Sequence, residues 1–303
     1  MAKSKDGQNK KKIKISTVLI FFFCSIVAFT MLVPFVWMVS ASFKLNSEIF
    51  SYPVKWIPEV FRTLNYEKVW QSIPFLQYFL NTLKLAVIIT LLQLFTCSLA
   101  AFAFTKLHFP GRDKIFVAYL ATMMVPWHAI MIPQFIVVKA FGMYNTHLSL
   151  IVLQAFSAFG VFLLRQNMLS IPDSLHEAAK IDGAGILRIL KDVYLPLSKP
   201  ILAVISVYTI VGTWNSWFSA LVYLPRTDWQ PLQLFLRRIL VESTRQVTEI
   251  LTPELAAEMM RKQMSGAQLK YAMIIFTTLP ILFTYPSFQK YFVKGVMLGS
   301  LKE

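Results

Sequence analysis

The sequence predicts an all-α fold, that of a polytopic membrane protein with six transmembrane helices and with both termini in the cytoplasm. Its 303 residues are 56% hydrophobic and their mean hydropathy is +0.57, values that indicate a membrane protein and not a soluble enzyme. Apolar runs long enough to cross a bilayer recur along the chain. These runs cover residues 18–39, 79–104, 115–138, 148–164, 201–224 and 271–292.

Lysine and arginine in the short connecting segments predict the orientation. The basic tail, residues 1–14, carries a run of lysines, and the loop between the second and third apolar runs carries Lys106, Arg112 and Lys114. Because such loops stay on the cytoplasmic side, both segments are predicted to be cytoplasmic. Within the transmembrane domain 15–292, the loop 165–200 is then cytoplasmic and the loops 43–75 and 225–270 are outside, and the tail 293–303 is cytoplasmic.

The first apolar run follows the basic tail as the core of a secretory signal does. A signal core has roughly 7–15 apolar residues, whereas this run is longer and contains Pro34 and Trp37. We therefore expect it to be the first span. The segment 43–75 that follows is rich in aromatic residues and prolines, a composition typical of short helices that lie on the outer membrane surface.

Few residues interrupt the apolar character of the spans. Pro126 and Pro133 are predicted to break the third span, because proline removes a helical hydrogen bond. Cys24 and Cys97 lie in spans without the spacing of a metal site or a disulfide, so we expect them to be packing residues. Lys84 is placed near the outer end of the second span, where its long side chain can reach the interface.

Between the fourth and fifth apolar runs lies a polar, charged stretch. Ser174 and Glu177 have the spacing of a capping box, which predicts that a helix begins near Leu175. Gly183 favours a sharp turn, because glycine adopts positive φ at little cost. A second helix is predicted to follow and to end before Leu195 and Pro196, since proline disfavours helix in the residue that precedes it.

Eight residues of this stretch stand at the spacing of a known motif: Glu177, Ala178, Ala179, Asp182, Gly183, Ala184, Leu195 and Pro196. They resemble the EAA motif of importer permeases of the ATP-binding cassette (ABC) class. In that family the motif forms a coupling helix that docks in a cleft of the cytoplasmic ATPase. The resemblance implies that Glu177 pairs with a basic group of the ATPase and that Ala178, Ala179 and Gly183 allow close docking and the turn.

The resemblance covers nearly the whole chain and is closest to the carbohydrate permeases of the MalG type. It extends to the C-terminal tail, where the family's signature contacts the ATPase pair through residues that correspond to Lys294, Gly295, Gly299 and Ser300. The family implies a bacterial plasma membrane, an oligosaccharide as cargo and alternating access. Its implied partners are a second permease in a heterodimer, two ATPase subunits and an extracytoplasmic solute-binding protein.

The sequence lacks the Gly-x-x-x-x-Gly-Lys-[Ser/Thr] phosphate loop. We therefore expect no cofactor in this chain, with ATP and magnesium bound by the partner ATPase subunits. No nucleophile and base are arranged for catalysis, and the four histidines lack metal-ligand spacing, so neither catalytic nor metal residues are predicted. The net charge of +15 does not indicate nucleic acid, because the cations lie at span ends, where they face anionic lipid head groups.

Candidate residues for the substrate path are Trp214, Asn215, Trp217 and His128. An indole can stack on the apolar face of a sugar ring, and an amide can both donate to and accept from hydroxyl groups. The alternative for the tryptophans is an aromatic belt or helix packing, and the alternative for the histidine is a hydrogen bond inside the bundle.

Other functions stay open on the sequence alone. An ABC permease for a solute other than sugar is one, because the EAA motif indicates coupling and says nothing about cargo. A secondary transporter or channel that works alone is a second, which the near absence of charge within the spans disfavours. A membrane enzyme that acts on lipid-linked sugars is a third, although no paired carboxylate motif supports it.

Overall fold

A computed structural model describes residues 15–72, 74–248 and 267–300, and within these ranges the secondary structure is helical, without strands. The first half contains α1 (Ile15–Ser42), α2 (Asn46–Ile49), α3 (Leu64–Ser72), α4 (Phe75–Lys106), α5 (Arg112–Ala121), α6 (Trp127–Ala140) and α7 (His147–Leu153). The second half contains α8 (Ala158–Leu169), α9 (Asp173–Ile181), α10 (Ile186–Ile189), α11 (Leu195–Leu197), α12 (Lys199–Asn215), α13 (Phe218–Tyr223), α14 (Leu232–Thr248) and α15 (Ala267–Ser300).

In the described part of the chain, three helices are long and apolar enough to cross a membrane unaided: α1, α4 and the Ala267–Gln289 part of α15. Three further helix pairs have the required length and composition together but are bent. The pairs are Arg112–Met124 with Trp127–Ala140, His147–Leu153 with Ala158–Leu169, and Ile186–Leu197 with Lys199–Asn215, with bends of 103°, 40° and 79°. Up to six spans result if each pair crosses once.

The breaks match the sequence prediction only in part. The third apolar run does break at Pro126, where the backbone is extended, but Pro133 lies inside α6 without ending it. The fifth run, 201–224, was expected to be one span. It is divided, because α12 ends at Asn215 and α13 begins at Phe218.

Helix α4 is the centre of the bundle, since it packs against α8 and α12, and α12 packs in turn against α15. Its side chains also bind the backbone exposed at the break between α7 and α8. Gln93 Nε2 donates to the carbonyl of Gln154 at 2.7 Å, and Thr96 Oγ1 donates to the carbonyl of Ala155 at 2.7 Å. Thr209 of α12 donates to Gln93 Oε1 at 2.7 Å. These hydrogen bonds give the carbonyl groups the donors that surrounding lipid cannot supply.

Near the N-terminal end of α4, side chains of α4 and α7 contact backbone carbonyl groups of the segment 225–231 and so fix it to the bundle. Asn81 Nδ2 donates to the carbonyl of Asp228 at 2.7 Å, and His147 Nε2 lies 2.8 Å from the carbonyl of Trp229. Lys84 is exposed, and its Nζ lies 6.0 Å from the centre of the Trp229 ring. This end of the bundle therefore has a defined surface, built on polar side chains of α4 and α7.

The contact between α4 and α8 is closest at Cys97 and Gly160. Cys97 is fully buried, as expected of a packing residue, while Cys24 is exposed on α1. A Cβ placed on Gly160 would lie 2.8 Å from Cys97 Sγ, a distance too short for a non-bonded contact. Glycine at this position therefore allows the two helices to approach.

We expect Gly160→Ala to lower the free energy of unfolding of the purified chain by about 1–3 kcal/mol, because the added methyl group overpacks the helix contact. Thermal unfolding in detergent, followed by tryptophan fluorescence, measures the change. Gly212→Ala is the matched control, since a Cβ there meets no atom within 4 Å. Adding Cys97→Ala to the Gly160 variant should recover part of the loss. Equal unfolding temperatures for Gly160→Ala and wild type would contradict the packing argument.

Candidate functional site

The polar stretch between the fourth and fifth apolar runs folds as two helical pieces joined by a turn. The first piece, α9, begins at Asp173 with Pro172 as its cap residue, and no side chain caps it. The predicted capping box of Ser174 and Glu177, with a start near Leu175, is therefore wrong. A proline immediately before the first turn lacks the amide that a helix start would leave unpaired, so the helix begins earlier without a side-chain cap.

The turn after α9 is the one that the sequence predicts. Gly183 has φ of +77°, in the left-handed region. Its amide bonds to the carbonyl of Lys180 at 3.0 Å, and the amide of Ala184 bonds to the carbonyl of Ala179 at 2.9 Å. This pair of hydrogen bonds is the Schellman arrangement, which requires a residue that tolerates positive φ. Asp182 is the cap residue at the end of α9.

The second piece runs further than predicted. After α10 the chain forms a wider π-helical turn, Leu190–Tyr194, and then a short α-helical turn that includes Leu195 and Pro196. The expected end before Pro196 is therefore wrong. Because the π turn shifts the hydrogen-bond register, Pro196 falls in the first turn of α11, where a missing amide is tolerated.

The two faces of α9 differ. Glu177 and Ala178 are exposed, whereas Ala179, together with Ala184 after the turn, packs against the buried cluster around Tyr194. Ile181 on the open side is 86% exposed. The segment 173–197 thus presents a surface on which charged side chains, such as Glu177, Asp182 and Arg188, lie beside exposed apolar ones, and which no described part of the chain covers.

Polar contacts anchor α9 to the bundle. Lys106, the last residue of α4, donates to Asp173 Oδ1 at 2.5 Å, and Lys106 holds the pKa of that carboxyl below its usual range. His176 Nδ1 lies 3.4 Å from the hydroxyl of Tyr194, a fully buried side chain. Desolvation, and then the charges of Lys180 and Lys106, lower the pKa of His176, so the imidazole is neutral at pH 7.

A second feature is a cavity of about 420 Å³, which we call the aromatic cavity. Three of the four predicted path residues line it, namely His128, Asn215 and Trp217. Trp214 does not: its side chain is 3% exposed, and its Nε1 donates to the carbonyl of Thr277 at 3.0 Å. Trp214 therefore packs between α12 and α15, the alternative that the sequence left open.

The rest of the cavity wall was not predicted from sequence. Gln134 Oε1 accepts hydrogen bonds from Trp127 Nε1 at 3.0 Å and from the Tyr223 hydroxyl at 3.1 Å. Phe218 packs against both Trp127 and His128, with ring centroids 5.6 and 5.7 Å apart. In the sequence, Pro126 could have indicated this wall, because the helix break beside it turns Trp127 and His128 towards α13. The wall combines aromatic rings with amide and hydroxyl groups.

Three predicted regions lie at or beyond the limits of the described residues. The structure describes only the backbone, within α15, of four predicted residues and not their side chains: Lys294, Gly295, Gly299 and Ser300. The basic tail 1–14, most of the outer segment after Thr248, and residues 301–303 are outside it altogether. Among the described residues, no group of three or more histidine, cysteine, aspartate or glutamate side chains could hold a metal ion.

Comparison with known proteins finds a matching family and similar transport proteins. A family described as "Binding-protein-dependent transport system inner membrane component" matches residues 93–298. The chain is 32% identical over 292 residues to the polygalacturonan/rhamnogalacturonan transport system permease protein YtcP of Bacillus subtilis (strain 168), covering 96% of this chain and 99% of that relative. It is 29% identical over 278 residues to the lactose transport system permease protein LacG of Rhizobium radiobacter, covering 92% and 93% of the two chains.

The fold is also similar to that of a solved structure. A chain in the crystal structure of a bacterial ABC transporter involved in the import of the acidic polysaccharide alginate matches with a TM-score of 0.79 at 28% identity, covering 92% of this chain and 96% of that chain. The family match spans more than half of the present chain and includes both the segment 173–197 and the wall of the aromatic cavity. The resemblance that its sequence motifs indicated is confirmed: this chain belongs to the family of inner membrane components of binding-protein-dependent transport systems.

Proposed function

We propose that this chain is the permease subunit of a bacterial ABC importer for carbohydrate, and that it forms part of the translocation path for an oligosaccharide. The observation that carries the proposal is the segment 173–197, in which Glu177 and Ala178 are exposed beside the turn at Gly183. The names of relatives as transport permeases for polysaccharides and lactose support the cargo class. In this proposal the chain has six spans and both termini in the cytoplasm, so the segment lies on the side where ATP is available.

In this proposal the segment 173–197 is the site of coupling. Glu177 and Ala178 face the ATPase, with the Glu177 carboxylate paired to one of its basic groups. Ala179 and Ala184 instead pack against the bundle, and Gly183 holds the turn. The Lys106–Asp173 ion pair and the Tyr194 contact tie α9 to the membrane helices, so a movement of the docked surface is passed to α4 and α12.

The partners supply the energy and the cargo. Two ATPase subunits bind ATP and magnesium, a second permease completes a heterodimer, and an extracytoplasmic binding protein delivers the sugar. ATP changes the conformation only through its different affinity for the inward-open and outward-open states. Closure of the ATPases moves the segment 173–197 as a lever, and the bundle opens outward in an alternating-access cycle.

The aromatic cavity is the proposed contact with cargo in this chain. Its aromatic rings suit the apolar face of a pyranose, and the exposed amide of Asn215 can pair with hydroxyl groups. The path residues are thus His128, Asn215 and Trp217, while Trp214 has a structural role.

Affinity purification of the tagged chain from its native membrane, followed by mass spectrometry, tests the assembly. We expect an ATPase and a second permease to be recovered with it, and the binding protein encoded with them can then be screened against sugars. Recovery of the chain alone, also after crosslinking, would favour a transporter that works without partners and would refute the proposal.

Gly183→Asp should abolish transport, at least tenfold below wild type, while membrane insertion stays intact. Aspartate tolerates positive φ better than most non-glycine residues, so the main cause of the loss is the added carboxylate, which lies on the proposed docking surface. Gly185→Asp is the matched control, because it adds the same charge two residues away at an ordinary φ of −69°. Sugar uptake and recovery of the ATPase are measured for both variants. Normal uptake by Gly183→Asp would contradict the coupling role.

Trp217→Ala should reduce the uptake efficiency for sugar by roughly tenfold, which corresponds to about 1.4 kcal/mol of lost binding. Trp214→Phe should instead cost about 0.5–1.5 kcal/mol of stability through its lost hydrogen bond, with no change in KM. Uptake kinetics and thermal unfolding of both variants separate the two roles. A changed KM in Trp214→Phe together with an unchanged KM in Trp217→Ala would show that the path was assigned to the wrong tryptophan.

A further inference from the structure

Gln134 connects two helices that meet at the aromatic cavity. It lies on α6 and is itself a lining residue of the cavity. Its Oε1 atom accepts two hydrogen bonds, one from Trp127 Nε1 at the start of α6 at 3.0 Å and one from the hydroxyl of Tyr223 at the end of α13 at 3.1 Å. The Tyr223 side chain is fully buried, so the bundle fixes this end of the network.

The two donors determine which way the amide of Gln134 points. An indole N–H can only donate, so the atom that it contacts is the amide oxygen and not the amide nitrogen. A carbonyl oxygen has two lone pairs. Trp127 occupies one of them and Tyr223 occupies the other. The oxygen therefore has no lone pair left for a ligand, and only Nε2 can serve one.

The Nε2 group of Gln134 keeps two N–H donors. In the part of the chain that the structure describes, no group accepts a hydrogen bond from it. The buried polar atoms that lack a partner in this part of the chain do not include Nε2, which means that it is accessible. An accessible donor of fixed orientation, on a residue that lines a cavity, suits an oxygen acceptor inside that cavity.

We infer that Gln134 is a specificity-determining residue of the aromatic cavity, and that its Nε2 group donates to an oxygen atom of the cargo sugar without being able to accept. The inference rests on the proposed function, because it concerns how the same cavity holds the same cargo. Trp127 and Tyr223 are positioning residues for this contact, since they act on the sugar only through the amide that they orient.

The alternative is that Gln134 only fastens α6 to α13. Fastening needs the acceptor Oε1, whereas recognition needs the donor Nε2, so one substitution separates the two roles. Gln134→Glu has nearly the same shape and keeps an oxygen for Trp127 and Tyr223, but it replaces the donor with an acceptor. Gln134→Met removes both groups.

The test uses the complete importer, purified with its partner subunits and binding protein and reconstituted in proteoliposomes. The probes are lactose and trigalacturonate and, for each one taken up, derivatives in which single hydroxyl groups are replaced by fluorine or by hydrogen. Fluorine accepts a hydrogen bond weakly and cannot donate one, and hydrogen does neither. The measured quantity is the ratio of kcat/KM for the fluoro derivative to kcat/KM for the deoxy derivative at each position of the sugar.

At one position of the sugar we expect this ratio to fall by about three- to tenfold between wild type and Gln134→Glu, the range for one neutral hydrogen bond. The carboxylate repels the fluorine, whereas the parent hydroxyl can turn and donate to the carboxylate, so uptake of the parent sugar persists. In Gln134→Met the ratio should lie between these two values.

Thermal unfolding of the same variants measures the fastening role separately. Gln134→Glu should unfold at nearly the wild-type temperature, because its carboxylate still accepts from both donors. Gln134→Met leaves Trp127 Nε1 and the Tyr223 hydroxyl unpaired and should unfold at a temperature about 2 °C or more lower.

Gln154→Glu is the matched control, because Gln154 also lines the aromatic cavity and this variant adds the same charge there. It should leave the ratio of fluoro to deoxy uptake as it is in wild type. The same binding protein is used throughout, so a change in the ratio between variants is due to this chain.

Each outcome decides a separate point. An unchanged ratio in Gln134→Glu, or the same fall in Gln154→Glu, overturns the inference but leaves the sugar-importer proposal standing. Unfolding of Gln134→Glu at as low a temperature as Gln134→Met also overturns it, because the oxygen would then not hold both donors.

A further variant covers the case in which neither substitution of Gln134 accumulates. Tyr223→Phe frees the amide to turn and should lower the ratio, so an unchanged ratio in this variant rejects the inference. Uptake of neither probe by wild type overturns the inference as well. If the binding protein then also binds no sugar, the proposed function is refuted with it.

Discussion

The backbone groups exposed where the apolar helices break must find hydrogen-bond partners inside the protein, because lipid offers none. The break between α7 and α8 shows how this chain meets the constraint. Gln93 and Thr96, both on α4, donate to the carbonyls of Gln154 and Ala155. Helix α4 is therefore both the centre of the packing and the source of the donors that allow a neighbouring span to bend.

The aromatic cavity depends on two other breaks in the helices. It forms where α6 begins after Pro126 and where α13 begins after the interruption at Ser216 and Trp217. If the helices were straight at these two points, their side chains would pack against the bundle and fill the cavity. The bends therefore explain why amide and aromatic side chains meet at one place, a composition suited to a ligand that has both hydroxyl groups and an apolar face.

The segment 173–197 is built on a different principle. Ile189, Leu190 and Tyr194 belong to a buried cluster, but the shape of the segment comes from local chemistry: a proline start, a glycine turn with two hydrogen bonds, and a π-helical turn that leads back into α12. Its attachment is tertiary, through Lys106 to Asp173 and through the buried Tyr194 to His176. A stiff element with one anchored face and one open face suits the transfer of movement from a docked partner to the membrane helices.

The sequence alone determined the helical membrane class, the glycine turn at Gly183 and the family, because apolar run length, positive φ and motif spacing are local properties. It did not determine the start of α9, since Pro172 makes the helix begin before the apparent capping box, or the passage of the helix through Pro196, which depends on the π turn before it. Only the tertiary structure separated Trp214 from Trp217: neighbouring tryptophans three residues apart carry the same local signal, and which one is buried against α15 and which one lines a cavity is decided by the break between them.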